Sequence, residues 1–230
     1  MTTLIDSMVE RAKADKKTIV LPEGHDDRIL AAAEETLKQG IANLVILGDA
    51  EEINAKGYNL EGAEIINPAT SDKVDEFASL LFELRKKKGM TEEEARELVT
   101  KDNIYFATMM VKTGQCDGLV GGASCATVKI LSPALKVLKT APGAPMVSSL
   151  FLMEVPNCDL GENGVFAFAD CALEIQPTAE KLAHIANLTN QSFKRLLGKE
   201  ARIALLSHSS HGSAKNDDAQ KVVDLSLIHI

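Results

Sequence analysis

No run of apolar residues in this 230-residue chain approaches the roughly 20 needed to cross a bilayer as a helix, so no membrane span is expected. The segment from Met1 to Asp15 has a charged, amphipathic helical pattern without the apolar centre of a secretory signal, which points to a cytoplasmic protein. Basic residues are in deficit: 25 Lys and Arg against 33 Asp and Glu give a formal charge of −8 spread over both halves. That excludes a broad nucleic-acid face and leaves room only for a local basic pocket. The four cysteines, Cys116, Cys125, Cys158 and Cys171, lack metal-type spacing and are expected as free thiols, with neither zinc nor a disulfide. There is also no G-x-G-x-x-G with a ribose-binding acid downstream, which argues against a dinucleotide dehydrogenase. What is present, 45% hydrophobic and 25% charged residues, suits one large or two modest globular domains.

Along the chain, Leu4, Ile5, Met8, Val9 and Ala12 fall at helical spacing, and Thr18 to Leu21, β-branched and closed by Pro22, reads as a fully buried parallel strand. A loop, Glu23 to Arg28, leads to a helix from Ile29 to Gln39 with Gly40 as its C-cap. Asn43 to Leu47 follows as a second strand, then Ile53 to Lys56 and Ala63 to Asn67 continue the alternation. This rhythm predicts an α/β fold with a mostly parallel sheet. Ser71 to Lys112 is helical, with Thr91 and Glu94 forming a capping box and Tyr105, Phe106, Met109 and Met110 facing inward. A boundary is expected at Pro142 to Pro145, dividing the chain into domains of residues 1–144 and 145–230. Past it come a hairpin of Met146–Val155 and Val165–Ala169 around the turn Gly161 to Gly164, a long helix from Thr178 to Leu197, and a buried strand from Ala201 to Leu206.

Two loops look suited to a phosphate. Asp117 to Gly121 reads as the end of a buried strand, Gly122 to Thr127 as a small-residue loop, and Val128 to Thr140 as a helix. Such a loop points free N–H groups beyond the strand's carboxyl end, an anion-binding arrangement. Ser124 and Thr127 can cap the helix or bind a phosphate oxygen. The second loop, Ser207 to Lys215, offers Ser207, Ser210, Ser213 and Lys215 after the strand expected at 201–206. His208 and His211 lie in it without a third ligand or partner carboxylate and read as solvent-side residues. Arg28 suits either an anion contact or a surface pair with Asp26 or Asp27. Arg85 to Lys88 is a basic cluster at a helix end, where the dipole alone favours cations, though it could also bind a nucleotide phosphate.

Seven blocks occur in order: Leu21-Pro-Glu with Arg28; Glu83-Leu-Arg85-Lys; Asp117 to Ala123; Lys139 to Gly143; Phe151-Leu-Met with Val155-Pro-Asn-Cys158; Gly164-Val-Phe with Phe168-Ala-Asp170; and Ser207 to Lys215. Together they resemble the phosphate acetyltransferases, or phosphotransacetylases, of the acetyl/butyryl phosphotransferase family. The resemblance implies reversible acetyl transfer between acetyl phosphate and coenzyme A, with coenzyme A as substrate, inorganic phosphate as the other product, no tightly bound cofactor and no metal. It implies two α/β domains of the isocitrate-dehydrogenase-like type, with mostly parallel sheets, flanking helices and an active site in the cleft between them, and a homo-oligomer, a dimer at full length. By the same resemblance Arg28 and Arg85 bind coenzyme A, while Ser124, Thr127, Ser207, Ser210, Ser213 and Lys215 line the phosphate side. Cys158 matches a cysteine near the family's active site that is not the nucleophile, since the attacking thiol is the substrate's.

Two departures stand out. The family's T-L-R-P-A pattern is Ile130-Leu-Ser132-Pro133-Ala here, so Ser132 replaces an arginine, and Lys129 or Lys136 is the nearest cation that could stand in. Family members also continue past residue 230, and the resemblance puts the catalytic serine, arginine and aspartate in that region. The expectation is a second domain that is incomplete, an abrupt apolar ending over Asp224 to Ile230, and a chain of weak or no activity. The alternatives are an inactive fragment that binds coenzyme A or anions, and a phosphate butyryltransferase.

Overall fold

The computed structural model describes residues 4–209 and 212–228. Ser210 and His211, both singled out in the sequence, lie outside the described residues, as does the end of the apolar tail. By contacts the chain forms two compact units, Met1–Lys139 and Thr140–Ile230.

The first unit runs α1 (Leu4–Ala14), β1 (Thr18–Leu21), α2 (Asp27–Gln39), β2 (Asn43–Leu47), α3 (Ala50–Ala55) and β3 (Glu64–Ile66). After a 3-10 turn at Pro68–Thr70 come α4 (Val74–Arg85), a second such turn at Lys86–Lys88, α5 (Glu92–Lys101), α6 (Asn103–Lys112), β4 (Gly118–Leu119) and α7 (Thr127–Val137). The strands are all parallel in the order β3-β2-β1-β4, with Val20 opposite both Val45 and Leu119. Successive side chains of a strand serve opposite faces. Val20, Val45 and Leu47 join Phe77, Leu81 and Phe106 in one core, while Leu21, Leu44 and Ile46 join Leu30, Ala33 and Ile53 in the other. Both faces of the sheet are covered, which is why its strands read as unbroken apolar runs. Phe77 and Phe106 meet edge to face at 5.0 Å, and burying each ring contributes about 2–3 kcal/mol.

Local signals set the element ends. Asp26 caps α2 by accepting the Arg28 N–H, and Gly40 ends it at φ 69°. Thr91 and Glu94 form the expected capping box on α5. The chain leaves β1 for β2 and β3 on one side and returns to β4 on the other, so the strand order switches between β1 and β4. Loops that diverge at such a point leave a crevice beyond the strands' carboxyl ends.

In the second unit β5 (Leu150–Glu154) and β6 (Val165–Ala169) form an antiparallel hairpin with Phe151 opposite Phe168. They are followed by α8 (Ala179–Leu197), capped by Thr178 and closed by Gly198 at φ 72°, and by α9 (Asp217–Ile228). One face of the hairpin carries Phe151, Met153 and Phe168, each more than two-fifths exposed.

Several sequence expectations need correction. Ala201 to Leu206 is not a buried strand but irregular chain, with Leu206 80% exposed. An apolar run becomes a strand only beside an edge that can take its hydrogen bonds, and here the Ala201 N–H goes to the Asn190 side chain at 2.9 Å instead. The strand expected at 117–121 narrows to the half-buried Gly118–Leu119. The following helix stops at Val137 rather than Thr140, where Lys139 turns to φ 68°.

Candidate functional site

Beyond the carboxyl ends of β1 and β4, the small-residue loop 122–126 does expose a row of backbone donors, but they are occupied. Glu23, 3% exposed, accepts the N–H groups of Gly122 at 2.6 Å and Ala123 at 2.9 Å on one carboxylate oxygen. Its other oxygen accepts the Ser124 N–H at 2.7 Å and the Ser124 hydroxyl at 2.8 Å. Burial pushes the Glu23 carboxyl up, but these four hydrogen bonds outweigh it and hold the group at about 2. The expectation of vacant N–H groups awaiting a phosphate is therefore corrected: the protein's own carboxylate fills the cradle. Helix capping does not use these hydroxyls either. The N-cap of α7 is Ala126, without a side-chain bond, and Thr127 is the first helical residue.

Glycine is required where these loops approach one another. A Cβ on Gly24 would lie 2.6 Å from the Leu47 carbonyl oxygen and 2.8 Å from Ile53, and Gly122 sits at φ +107°. The Asn103 amide adds a further tie, donating to the Pro22 carbonyl at 3.0 Å.

Around this latch the structure brings Arg28, His25 and Ser124 together. The Arg28 guanidinium grips Asp26 through Nε at 3.0 Å and Nη2 at 2.6 Å, and Nη2 also donates to the Ala123 carbonyl at 2.5 Å. Of the two readings of Arg28, the pair with Asp26 is formed, while 70% of the side chain stays exposed. Its grip holds the Asp26 carboxyl well below the usual carboxylate range. His25 Nε2 lies 3.1 Å from Ser124 Oγ. Burial first, then the Glu23 charge, raise the pKa of the Cys125 thiol, which keeps it protonated.

Arg85 belongs to a different place in the first unit. Half-buried at the end of α4, it lines a cavity of ≈ 500 Å³ with Lys88, Tyr105 and Lys136. Lys136 Nζ stands 3.4 Å from the Tyr105 hydroxyl. The carboxylates at that rim are already engaged: Glu94 by the Thr91 N–H and Glu97 by Lys101. No ion pair among the described residues involves Arg85, Lys88 or Lys136. Ser132 precedes Lys136 by one turn of α7. Of the two cations named for its missing charge, Lys136 is the one beside Arg85.

In the second unit Ser207 and Lys215 line one cavity of ≈ 510 Å³ with Ser209, Gly212 and the start of α9. Ser209 closes this loop, accepting the Ala214 N–H at 3.1 Å, and Asn216 caps α9 through Ala219. Ser213 is exposed beside it. His208 is exposed and meets the Asn216 amide at 3.0 Å. A second carboxylate knot follows β6. Asp170 accepts from the Ser149 hydroxyl at 2.7 Å, the Ser148 hydroxyl at 3.0 Å, and the N–H groups of Ser149, Ala172 and Leu173 at 2.9 Å each. Burial opposes the charge on Asp170, yet these donors hold its pKa well below the usual range.

Glu23, His25 and Asp170 were given no role by the sequence alone. A carboxylate directly after an apolar strand and its closing proline was the available signal for Glu23. Nothing local marked its partners, about 100 residues away.

The sequence matches the family described as phosphate acetyl/butaryl transferase over residues 3–229. A phosphate acetyltransferase of Thermoanaerobacterium thermosaccharolyticum is 54% identical over 222 residues, covering 96% of this chain and 67% of that protein. One from Acetivibrio thermocellus is 48% identical over 223 residues, covering 96% and 67%. Among solved structures, the EutD phosphotransacetylase from Staphylococcus aureus superposes with a TM-score of 0.85 at 34% identity, covering 98% of this chain and 67% of that one. A phosphotransacetylase from Streptococcus pyogenes gives 0.86 at 34% identity, covering 98% and 69%.

Proposed function

Because the chain belongs to the phosphate acetyl/butaryl transferase family, we propose that it carries acetyl transfer between acetyl phosphate and coenzyme A, in acetate metabolism. The observation that carries this is a family match running almost end to end, joined to 54% identity with a phosphate acetyltransferase. The coenzyme A thiol gives up its proton as its sulfur attacks the acetyl carbonyl carbon; a carbon–sulfur bond forms, the bond from that carbon to the oxygen it shares with phosphorus breaks, and inorganic phosphate leaves, taking up a proton in its turn. Charge gathers on the carbonyl oxygen and then on the departing phosphate, so aimed N–H, hydroxyl and cationic groups stabilise the transition state.

The binding roles follow from the donors each residue has left. The Arg28 guanidinium has Nη1 still to offer, and Arg85 faces a cavity with two further cations, both suited to the phosphates of coenzyme A. Thr127 in the first unit, and Ser207, Ser213 and Lys215 with Ser210 in the second, are assigned to the phosphate side; Ser124, whose N–H and hydroxyl both donate to Glu23, belongs to that side through the loop it holds rather than through a free donor. Residues 1–144 form the coenzyme A and phosphate domain in this proposal, and residues 145–230 the second domain. No tightly bound cofactor or metal is invoked, and in this proposal the protein acts in the cytoplasm as a homo-oligomer, a dimer at full length. No helix among the described residues is long and apolar enough to cross a membrane.

The test is thioester formation by the 230-residue chain from coenzyme A with acetyl phosphate, run beside butyryl phosphate. Faster acetyl-CoA formation supports the proposal; preference for butyryl phosphate reassigns the acyl group. Coenzyme A bound without turnover would mark a binding fragment, for which neither relative above gives support. Absence of both thioester and coenzyme A binding would overturn the proposal.

A further inference from the structure

The hydrogen bonds around Glu23 determine more than the shape of a loop, because they decide which nitrogen of His25 is free. The Glu23 carboxylate is ionised and can only accept, so the single proton of Ser124 Oγ must point to it across 2.8 Å. Ser124 Oγ therefore meets His25 Nε2, 3.1 Å away, as an acceptor, and Nε2 must carry a proton. Neutral His25 is then the Nε2–H tautomer, with a lone pair on Nδ1. Nδ1 has no partner among the described residues.

His25 is exposed and lines a cavity of ≈ 310 Å³ beyond the carboxyl ends of β1, β2 and β3. The backbone of Gly24 and Gly48 forms part of its wall, and Lys56 and Asn103 stand at its rim. Lys56 uses two of its three N–H bonds on the His25 carbonyl at 2.6 Å and on Asp27 at 2.8 Å, leaving one to spare. The other charged groups near the imidazole are mostly paired. Asp26 is held by Arg28, Asp27 by Lys56, Glu23 by the 122–124 loop, and Asp49 by the N–H groups of Glu51 and Glu52. Glu52, across the cavity, has no such partner. Imidazole is the side-chain type whose ordinary charge change falls nearest neutral pH.

We propose that His25 is a protonation-dependent contact for a phosphate group: protonated, its Nδ1–H and the spare Lys56 N–H donate to phosphate oxygens in this cavity, and neutral, its Nδ1 lone pair turns them away. This rests on the acetyl phosphate and coenzyme A reading, since both substrates carry phosphate. Ser124 and Glu23 act as positioning residues that fix Nε2 as the donor and so leave Nδ1 as the nitrogen available to a ligand.

The test follows the His25 ring by NMR across about pH 5 to 8, where imidazoles titrate. The wild-type chain is titrated alone, with sulfate, whose charge is constant over that range, and with coenzyme A. At high pH the ring nitrogens should show the Nε2–H tautomer. An upward shift of the His25 midpoint with sulfate assigns the cavity to a free oxyanion, and one with coenzyme A alone assigns it to the cofactor-like substrate's own phosphates. His25→Gln keeps an Nε donor for Ser124 but cannot titrate. The roughly tenfold tighter binding expected at the acid end in wild type should be absent in that variant. A midpoint unmoved by both ligands, or an Nδ1–H tautomer, overturns the inference. Coenzyme A binding measured by calorimetry on the same samples separates the two cases: if it is intact while His25 is silent, only this inference fails.

Discussion

Replacing Glu23 by Gln tests the loop latch most directly. The side chain is 3% exposed and accepts four hydrogen bonds that hold it at about 2, against an ordinary 4.5. That difference corresponds to roughly 3 kcal/mol of preference for the folded state at neutral pH. Because the folded pKa is the lower one, the contribution is complete above about pH 5 and drains away as pH falls towards about 2. An amide in the same place turns an NH₂ group towards backbone donors and forfeits most of this. Tyr58 and Tyr105 are the only tyrosines and tryptophan is absent, so tyrosine fluorescence reports unfolding of the first unit alone. At pH 7 the urea midpoint of Glu23→Gln should lie about 1 M below wild type. The gap should fall below half by about pH 3 and nearly close by about pH 2. Equal midpoints at pH 7, or a gap that persists unchanged in acid, would refute the assignment of this carboxylate as the charged anchor of the loop.

Three further outcomes are expected. Gly24→Ala forces a Cβ against the Leu47 carbonyl and should destabilise the first unit by roughly 3 kcal/mol, read as a lower thermal midpoint by the same fluorescence. Arg85→Ala should weaken coenzyme A binding about tenfold and flatten its salt dependence; an unchanged calorimetric Kd would remove this cavity from the binding scheme. Ser132→Arg places a guanidinium one turn before Lys136 and should tighten coenzyme A binding about fivefold. Unchanged affinity there would show that the serine costs the chain nothing.

What could be read without coordinates was whatever is coded locally or by period. The apolar runs at 18–21 and 43–47, the Thr91–Glu94 box and the glycines at 40 and 198 each act within a few residues, and each forms as expected. Acetyl transfer was also legible, because seven ordered blocks constrain a family far more tightly than one glycine loop does. The failures share one cause, which is dependence on distant partners. A run such as Ala201 to Leu206 has strand chemistry but pairs with no strand among the described residues. The 122–124 loop has the donors of an anion site, but whether they are vacant was decided by Glu23, on the other side of the sheet's switch point. The orientation of His25 follows in turn from that carboxylate, two hydrogen bonds removed.

The latch also bears on the order in which the molecule is made. Glu23 meets its donors across 99 to 101 residues of intervening chain, and β1 meets β4 across a similar span, whereas β1, β2 and β3 can pair while the chain is still short. During synthesis the strand that carries Glu23 emerges early and stays an open edge until Gly118 and Leu119 arrive, its carboxylate solvated and titrating like any surface group. Contacts of such sequence separation form late. Acquisition of the depressed Glu23 pKa would therefore serve as a clock for the last step of first-unit folding, distinguishable from the earlier growth of the β3-β2-β1 ribbon.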